Sequence, residues 1–307
     1  MAVTAALVKE LREMTGAGMM DCKKALVETD GDIEKAVDVL REKGLSKAAK
    51  KSGRIAAMGL VRTAFSEDGK KAAMVEVNSE TDFVAKNDEF IGFVDGLAQL
   101  ALESDAADMD AFMALPFEGE TVQAALTNKI ATIGENMNIR RFVKCEEEGV
   151  VYTGYLHGGG NIGVIVGLKT DAAASEIETC GKDVAMQVAS MSPKFLDESQ
   201  VDPEYLEHER KILIEEAKND PKNAKKPEDI LGKIVEGRIK KELKEVCLAD
   251  QKFVKDGDLS VEQYVKKCAA DLGKDIALAS YVRYEVGEGI EKKEEDFAAE
   301  VAAQMAK

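Results

Sequence analysis

The sequence predicts an α+β protein. It would comprise an N-terminal three-helix module, a duplicated core of three-stranded antiparallel sheets each carrying a helix, an inserted antiparallel helical hairpin and a C-terminal helix. Three observations predict this. Apolar residues recur at helical spacing through residues 4–42, with turn residues between the runs. A pattern of strand, turn, strand and helix occurs twice. Two charged helical stretches with one narrow apolar seam interrupt its second occurrence.

Within residues 4–42, Thr4 is placed to cap a first helix whose stripe is Leu7, Val8 and Leu11. Gly16-Ala17-Gly18 breaks it, and Asp21 heads a second helix that would bury Cys22, Ala25 and Leu26. Asp30-Gly31-Asp32 turns into a third, with Ile33, Ala36, Val37 and Leu40 inside and Gly44 as its stop signal. Met19 and Met20 fall in the turn between the first two helices. They are either core fillers or, with glycines on both sides of Ala17 tightening the turn, a flexible apolar surface suited to protein contact. From Lys43 to Met58 there are five basic residues and no acidic one, which reads as a solvated helical linker. RNA contact is the rival reading, but no aromatic residues alternate with the charges to stack bases.

The repeat begins with Gly59–Phe65, a Ser66-Glu67-Asp68-Gly69 turn, Ala73–Val77 and Thr81-Asp82. Its second copy is Gly149–Tyr155, a His157-Gly158-Gly159-Gly160-Asn161 turn, Val164–Leu168 and Thr170-Asp171. Helices follow at 88–103 and 174–190, and third strands at 139–143 and 279–284 close each copy. The insert pairs residues 203–219 (Leu206, Ile212, Leu213, Ala217) with 227–246 (Ile230, Ile234, Ile239, Leu243, Val246) around Asn219-Asp220-Pro221-Lys222-Asn223. A hairpin that thin buries little alone and suggests docking, for instance to a second copy of the chain. Residues 292–307 read as one more amphipathic helix.

Composition narrows the function. A chain of 307 residues can hold several compact units, and its formal charge of −16 argues against a nucleic-acid binder, which needs clustered Lys and Arg. Five scattered cysteines, with no Cys-x-x-Cys, indicate reduced thiols rather than a disulfide or zinc framework. No apolar run reaches transmembrane length, and Met1–Glu10 lacks a basic leader region, so a cytoplasmic protein without signal or transit peptide is expected.

Catalytic motifs fail on context. Gly158-Gly159-Gly160-Asn161-Ile162-Gly163 has dinucleotide-binding spacing, yet it lies between two strands, where no helix N-terminus faces a phosphate. His157-Gly158-Gly159-Gly160 resembles an esterase oxyanion loop, but no G-x-S-x-G elbow accompanies it. There is no phosphate-binding G-x-x-x-x-G-K-[ST] loop, and His208 has no metal-ligand neighbour at i+4. Neither an enzyme, a metal nor a cofactor is expected.

The stretch that organises the chain is Asn78-Ser79-Glu80-Thr81-Asp82-Phe83-Val84-Ala85-Lys86-Asn87. It joins the Ala72–Val77 strand to a helix whose face is Phe90, Phe93, Val94, Leu97 and Leu100, capped by Asn87 with Asp88 and Glu89 in the first turn. A bulky aromatic at this corner is either a staple on the core or a probe for another protein. The second copy has Ala172 after Asp171, so the aromatic belongs to one copy only, which favours function.

Thr81-Asp82-Phe83-Val84-Ala85-Lys86-Asn87 resembles a signature of the bacterial elongation factor Ts family, as does Leu11-Arg12-Glu13-Met14-Thr15-Gly16-Ala17-Gly18-Met19-Met20-Asp21-Cys22-Lys23-Lys24-Ala25-Leu26. Further likeness extends to Phe297–Ala303, nearly the whole chain. The resemblance implies a guanine-nucleotide exchange factor for elongation factor Tu that promotes GDP release. It implies a module resembling a ubiquitin-associated domain over 1–56, core subdomains at 57–147 and at 148–198 with 251–287, a dimerisation insert at 199–250 and a C-terminal module at 288–307. The implied contacts with the GTPase are Thr81, Asp82, Phe83 and Val84 at the corner, Arg12, Met19, Met20 and Lys23 in the module, Ile133 and Gly134, His157, and Val254 and Lys255. Phe83 would wedge between helices of the GTPase, and Asp82 would disturb its phosphate and magnesium surroundings. No membrane or nucleic-acid partner is implied. The chief rival is an adaptor in which a ubiquitin-associated module sits on an unrelated core.

Overall fold

The computed structural model describes residues 3–220 and 226–291. The N-terminal module consists of α1 (Ala5–Thr15), α2 (Met19–Glu28) and α3 (Ile33–Lys51), closed around Leu11, Cys22, Ala25, Leu26 and Ala36. Its helix starts follow from local chemistry. The Thr4 hydroxyl accepts the Leu7 N–H at 3.2 Å, and the Asp32 carboxylate accepts that of Lys35 at 3.1 Å. Met19 and Met20 do not lie in the turn; they open α2.

The first subdomain contains β1 (Met58–Phe65), β2 (Ala72–Ser79), α4 (Asp82–Ala85), α5 (Asp88–Glu103), α6 (Met109–Met113), the small hairpin β3 (Pro116–Phe117) and β4 (Glu120–Thr121), α7 (Val122–Ile133) and β5 (Met137–Cys145). Its antiparallel sheet has the order β1-β2-β5. The central β2 is buried on both faces. Ala73, Val75 and Val77 meet the helices, while Ala72 and Met74 meet the other sheet. Between 104 and 136 no element is assigned from the sequence, yet α7 has every local signal for a helix. The Thr121 hydroxyl accepts the Ala124 N–H at 3.2 Å, Val122, Ala125, Leu126 and Ile130 enter the core, and Gly134 closes the helix at φ 91°.

That unforeseen helix changes the reading of residues 43–51. The third helix does not stop at Gly44 but runs to Lys51 along α7, so one face of this basic segment, at Gly44 and Ala48, packs inward while Lys47 and Lys50 stay exposed as expected of a solvated helix. Gly44 is buried there, and a Cβ on it would lie 3.5 Å from the Ala131 side chain. Glycine weakens a helix without ending it when a neighbour supplies contact. The basic side chains pair locally, Lys43 with Glu28 at 2.7 Å and Lys47 with Asp21 at 2.8 Å.

The second subdomain repeats the plan with β6 (Val150–His157), β7 (Ile162–Thr170), α8 (Ala174–Met191), the hairpin α9 (Pro203–Asn219) and α10 (Glu228–Val246), the short β8 (Lys252–Phe253) and β9 (Asp256–Ser260), α11 (Val261–Leu272) and β10 (Ile276–Glu285). Its sheet order, β6-β7-β10, is the counterpart of β1-β2-β5. The two sheets pack face to face through Val61, Met74, Val150, Tyr152 and Ile165, with helices on both outer faces. Glu76 is 0% exposed in this layer. Its carboxylate pairs with Arg140 at 3.1 Å and Arg141 at 2.6 Å and accepts the Gly287 N–H at 2.8 Å.

The inserted helices fall where expected, but their seam differs. Ala217, Val235 and Ile239 are buried between them, whereas Ile212 and Ile230 point outward. The base of the hairpin is also shorter than 199–250 implies. Cys247 and Leu248 are fully buried, Leu248 in the second core, and the Leu248 N–H donates to the Phe195 carbonyl at 2.9 Å. The helix expected over 292–307 and the turn residues Pro221-Lys222-Asn223 lie outside the described residues.

Candidate partner-binding site

After β2 the chain turns through Glu80 and Thr81 into α4. Thr81 precedes the helix without capping it by its side chain. Its hydroxyl instead donates to Glu135 Oε1 at 2.6 Å, and its N–H donates to Glu135 Oε2 at 3.0 Å. Glu80 reciprocates by accepting the Asn136 N–H and pairing with Arg54 at 3.5 Å. The turn is thus fastened from both sides to the loop that follows α7.

Phe83, on this turn, is 81% exposed. A core staple would be buried; this ring is in water. Its neighbour is the reverse case. Val84, expected beside Phe83 as a contact, is 7% exposed and packs in the first core, so its side chain anchors α4 and is not presented to a partner. Asp82 pairs with Lys86 at 2.6 Å, and that hydrogen bond holds its carboxyl below the usual carboxylate range. Asp82 therefore carries full negative charge at neutral pH. In the second copy Ala172 is buried where Phe83 stands exposed.

Ile133 and Gly134 end α7 immediately before Glu135, so the Thr81–Glu135 bonds bring them beside the aromatic corner. Lys51, the last residue of α3, donates to the Gly134 carbonyl. Bonds therefore run without interruption from the module through Gly134 and Glu135 to Thr81. On the module, Met19 and Met20 are 56% and 63% exposed, and Arg12 and Lys23 also face solvent.

His157 and Val254-Lys255 are held differently, by the second subdomain. His157 is exposed at the end of β6, its Nδ1 3.1 Å from the Tyr155 hydroxyl. The glycine-rich tip beside it packs on β1. The Gly160 carbonyl accepts the Val61 N–H at 2.8 Å, and Arg62 donates to the Gly159 carbonyl at 2.8 Å. Gly160 has φ 114°, and a Cβ there would approach the Val61 carbonyl to 2.8 Å, so only glycine fits. Gly160 thus serves close packing between subdomains, while Gly158 and Gly159 adopt the positive φ of the turn. Val254 and Lys255 form the β8–β9 turn, where Val254 is exposed and Lys255 pairs with Asp183 of α8 at 2.6 Å. The Val254 N–H donates to Gln187 at 2.8 Å.

Burial pushes the thiols of Cys145 and Cys247 up to about 11, leaving them protonated at neutral pH. Among the described residues, no cluster of three or more His, Cys, Asp or Glu could hold a metal ion, and no helix is long and apolar enough to cross a membrane.

The family model described as elongation factor Ts matches residues 80–288, opening one residue before Thr81. The elongation factor Ts of Clostridioides difficile (strain 630) is 54% identical over 304 residues, covering 99% of each chain. That of Clostridium perfringens (strain SM101 / Type A) is 52% identical over 301 residues, covering 98% of each. The chain belongs to the elongation factor Ts family. The family match takes in the aromatic corner, β5, the second sheet and the helical hairpin, while the relatives extend the likeness over β1, β2 and the N-terminal module. Glu80 and Glu135, which fix the corner, were not foreseen; their only signal in the sequence is adjacency to Thr81 and Gly134.

Proposed function

We propose that the protein is a guanine-nucleotide exchange factor for elongation factor Tu, binding the GDP form and promoting GDP release during the elongation step of protein synthesis. The observation that carries this reading is an exposed aromatic ring on a turn that is itself tied down. Exchange requires no bond chemistry in this chain, so it is no enzyme in that sense. It requires a surface that binds the nucleotide-free GTPase more tightly than the GDP form; by linkage, GDP then weakens the factor by the same ratio that the factor weakens GDP. Burying the Phe83 ring between partner helices that have moved apart supplies roughly 1.5–3 kcal/mol, available only in the opened state. The charge of Asp82, one residue away, would act on the phosphate and magnesium surroundings of the partner's nucleotide.

In this reading Arg12, Met19, Met20 and Lys23 dock a ubiquitin-associated-like module. Ile133, Gly134, His157, Val254 and Lys255 extend the contact, and the work is done in the cytoplasm. The outward Ile212 and Ile230 make the hairpin the site of self-association. The experiment is direct: follow release of fluorescent GDP from elongation factor Tu with and without the protein. Acceleration at substoichiometric amounts supports the reading, and an unchanged rate at saturation refutes it.

A further inference from the structure

We infer that Glu135 is a positioning residue for the aromatic corner: its carboxylate, held on the loop after α7, orients the Asp82-Phe83 turn through Thr81. This rests on the proposed exchange function and adds to it a residue that need not touch the partner. The geometry is specific. Thr81 spends both its hydroxyl and its N–H on the two oxygens of one carboxylate, at 2.6 and 3.0 Å. The Thr81 hydroxyl bonds Glu135 instead of capping α4, so the residue that opens α4 is held by a group from another element. α4 itself has only four residues, too few to hold a fixed orientation alone.

The support behind Glu135 is equally fixed. Gly134 closes α7 in the left-handed conformation, and its carbonyl takes the Lys51 ammonium of α3. Glu80 closes the clasp in the opposite sense by accepting the Asn136 N–H. A charge-assisted pair of this kind adds geometric specificity as well as strength. Its consequence is that the exposed ring of Phe83 is presented in one direction, and the ordering it would otherwise need on binding is already done.

The test is a double-mutant cycle on the full chain, read by GDP release from elongation factor Tu. Glu135→Ala is expected to slow release at saturating factor by about three- to tenfold, the range carried by loss of one capping interaction. The Phe83→Ala variant should show almost no further loss when Glu135→Ala is added, because the positioned ring is already gone. Thr81→Val should reproduce much of the Glu135→Ala effect, and Thr81→Ser should restore it by keeping the hydroxyl. Equal fold-losses from Glu135→Ala with and without Phe83 would overturn the inference, as would a wild-type saturating rate in Glu135→Ala. If Glu135→Ala does not fold, the isosteric Glu135→Gln is read by the same cycle and the same criteria. Failure of the exchange reading itself looks different: the wild-type chain then leaves GDP release unchanged.

Discussion

An aromatic ring left in water contributes little to the folded state, and Phe83 is such a ring. Phe83→Ala is therefore expected to leave the melting temperature within about 2 °C of wild type, whereas truncating a buried Phe costs roughly 3–5 kcal/mol. Catalysed GDP release at saturation should slow at least about tenfold, the rate equivalent of the lost ring burial. A large fall in melting temperature with normal release by the remaining folded protein would sink the wedge. At this scale the sequence was informative about identity and silent about direction. Asp82 and Phe83 were legible as a polar corner carrying one aromatic, but whether the ring faces core or solvent depends on Val84 occupying the core instead. Glu135 lies more than fifty residues away in sequence, and no local pattern reports such a bond.

Elements were legible where one stripe decides them and obscure where packing between elements does. The two repeats, both long inserted helices and the caps at Thr4 and Asn87 follow from spacing and turn chemistry. Gly44 misled because a local stop signal was outweighed by tertiary contact with α7. Gly44→Ala is expected to raise stability by about 0.5–1 kcal/mol, since alanine favours the helix and its methyl would lie at an ordinary distance from Ala131. Denaturant melts check this; a loss of stability would mean that α3 and α7 cannot admit one methyl group. The seam of the inserted hairpin was misassigned at Ile212 and Ile230 because both helices carry more apolar residues than one seam can hold. On the proposed self-association, replacing residues 203–245 by a short glycine turn should leave a cooperatively melting protein of smaller assembly size in light scattering. Unfolding of the whole chain would show that the hairpin belongs to the core. The excision must spare Cys247 and Leu248, which are buried at its base.

For the whole molecule, the deciding interaction is the buried carboxylate of Glu76 between Arg140, Arg141 and the Gly287 N–H. It joins the first sheet to the chain leaving the second, two parts separated by most of the sequence. Glu76→Ala should cost about 2–3 kcal/mol of unfolding free energy. This is below the 3–5 kcal/mol typical of a broken buried pair, because the arginine side chains are 26% and 29% exposed and can rehydrate. By contrast, Lys86→Ala, which removes the exposed partner of Asp82, should leave stability almost unchanged, because water screens the pair. Chemical denaturation of the two variants side by side checks the contrast. Similar small losses from both would mean that Glu76 behaves as a surface charge.

The docking of α3 along α7 has one more consequence. The exposed methionines of α2 and the ring of Phe83 belong to a single stiff unit, so on the proposed function they reach the partner as a two-pronged grip. Once one prong has landed, the other is already held at its own site, and little further ordering is needed to seat it. Each prong can then be weak alone and the complex still hold firmly. Held at one spacing, the two prongs arrive and leave together, so on the proposed function weakening either one loosens the whole contact.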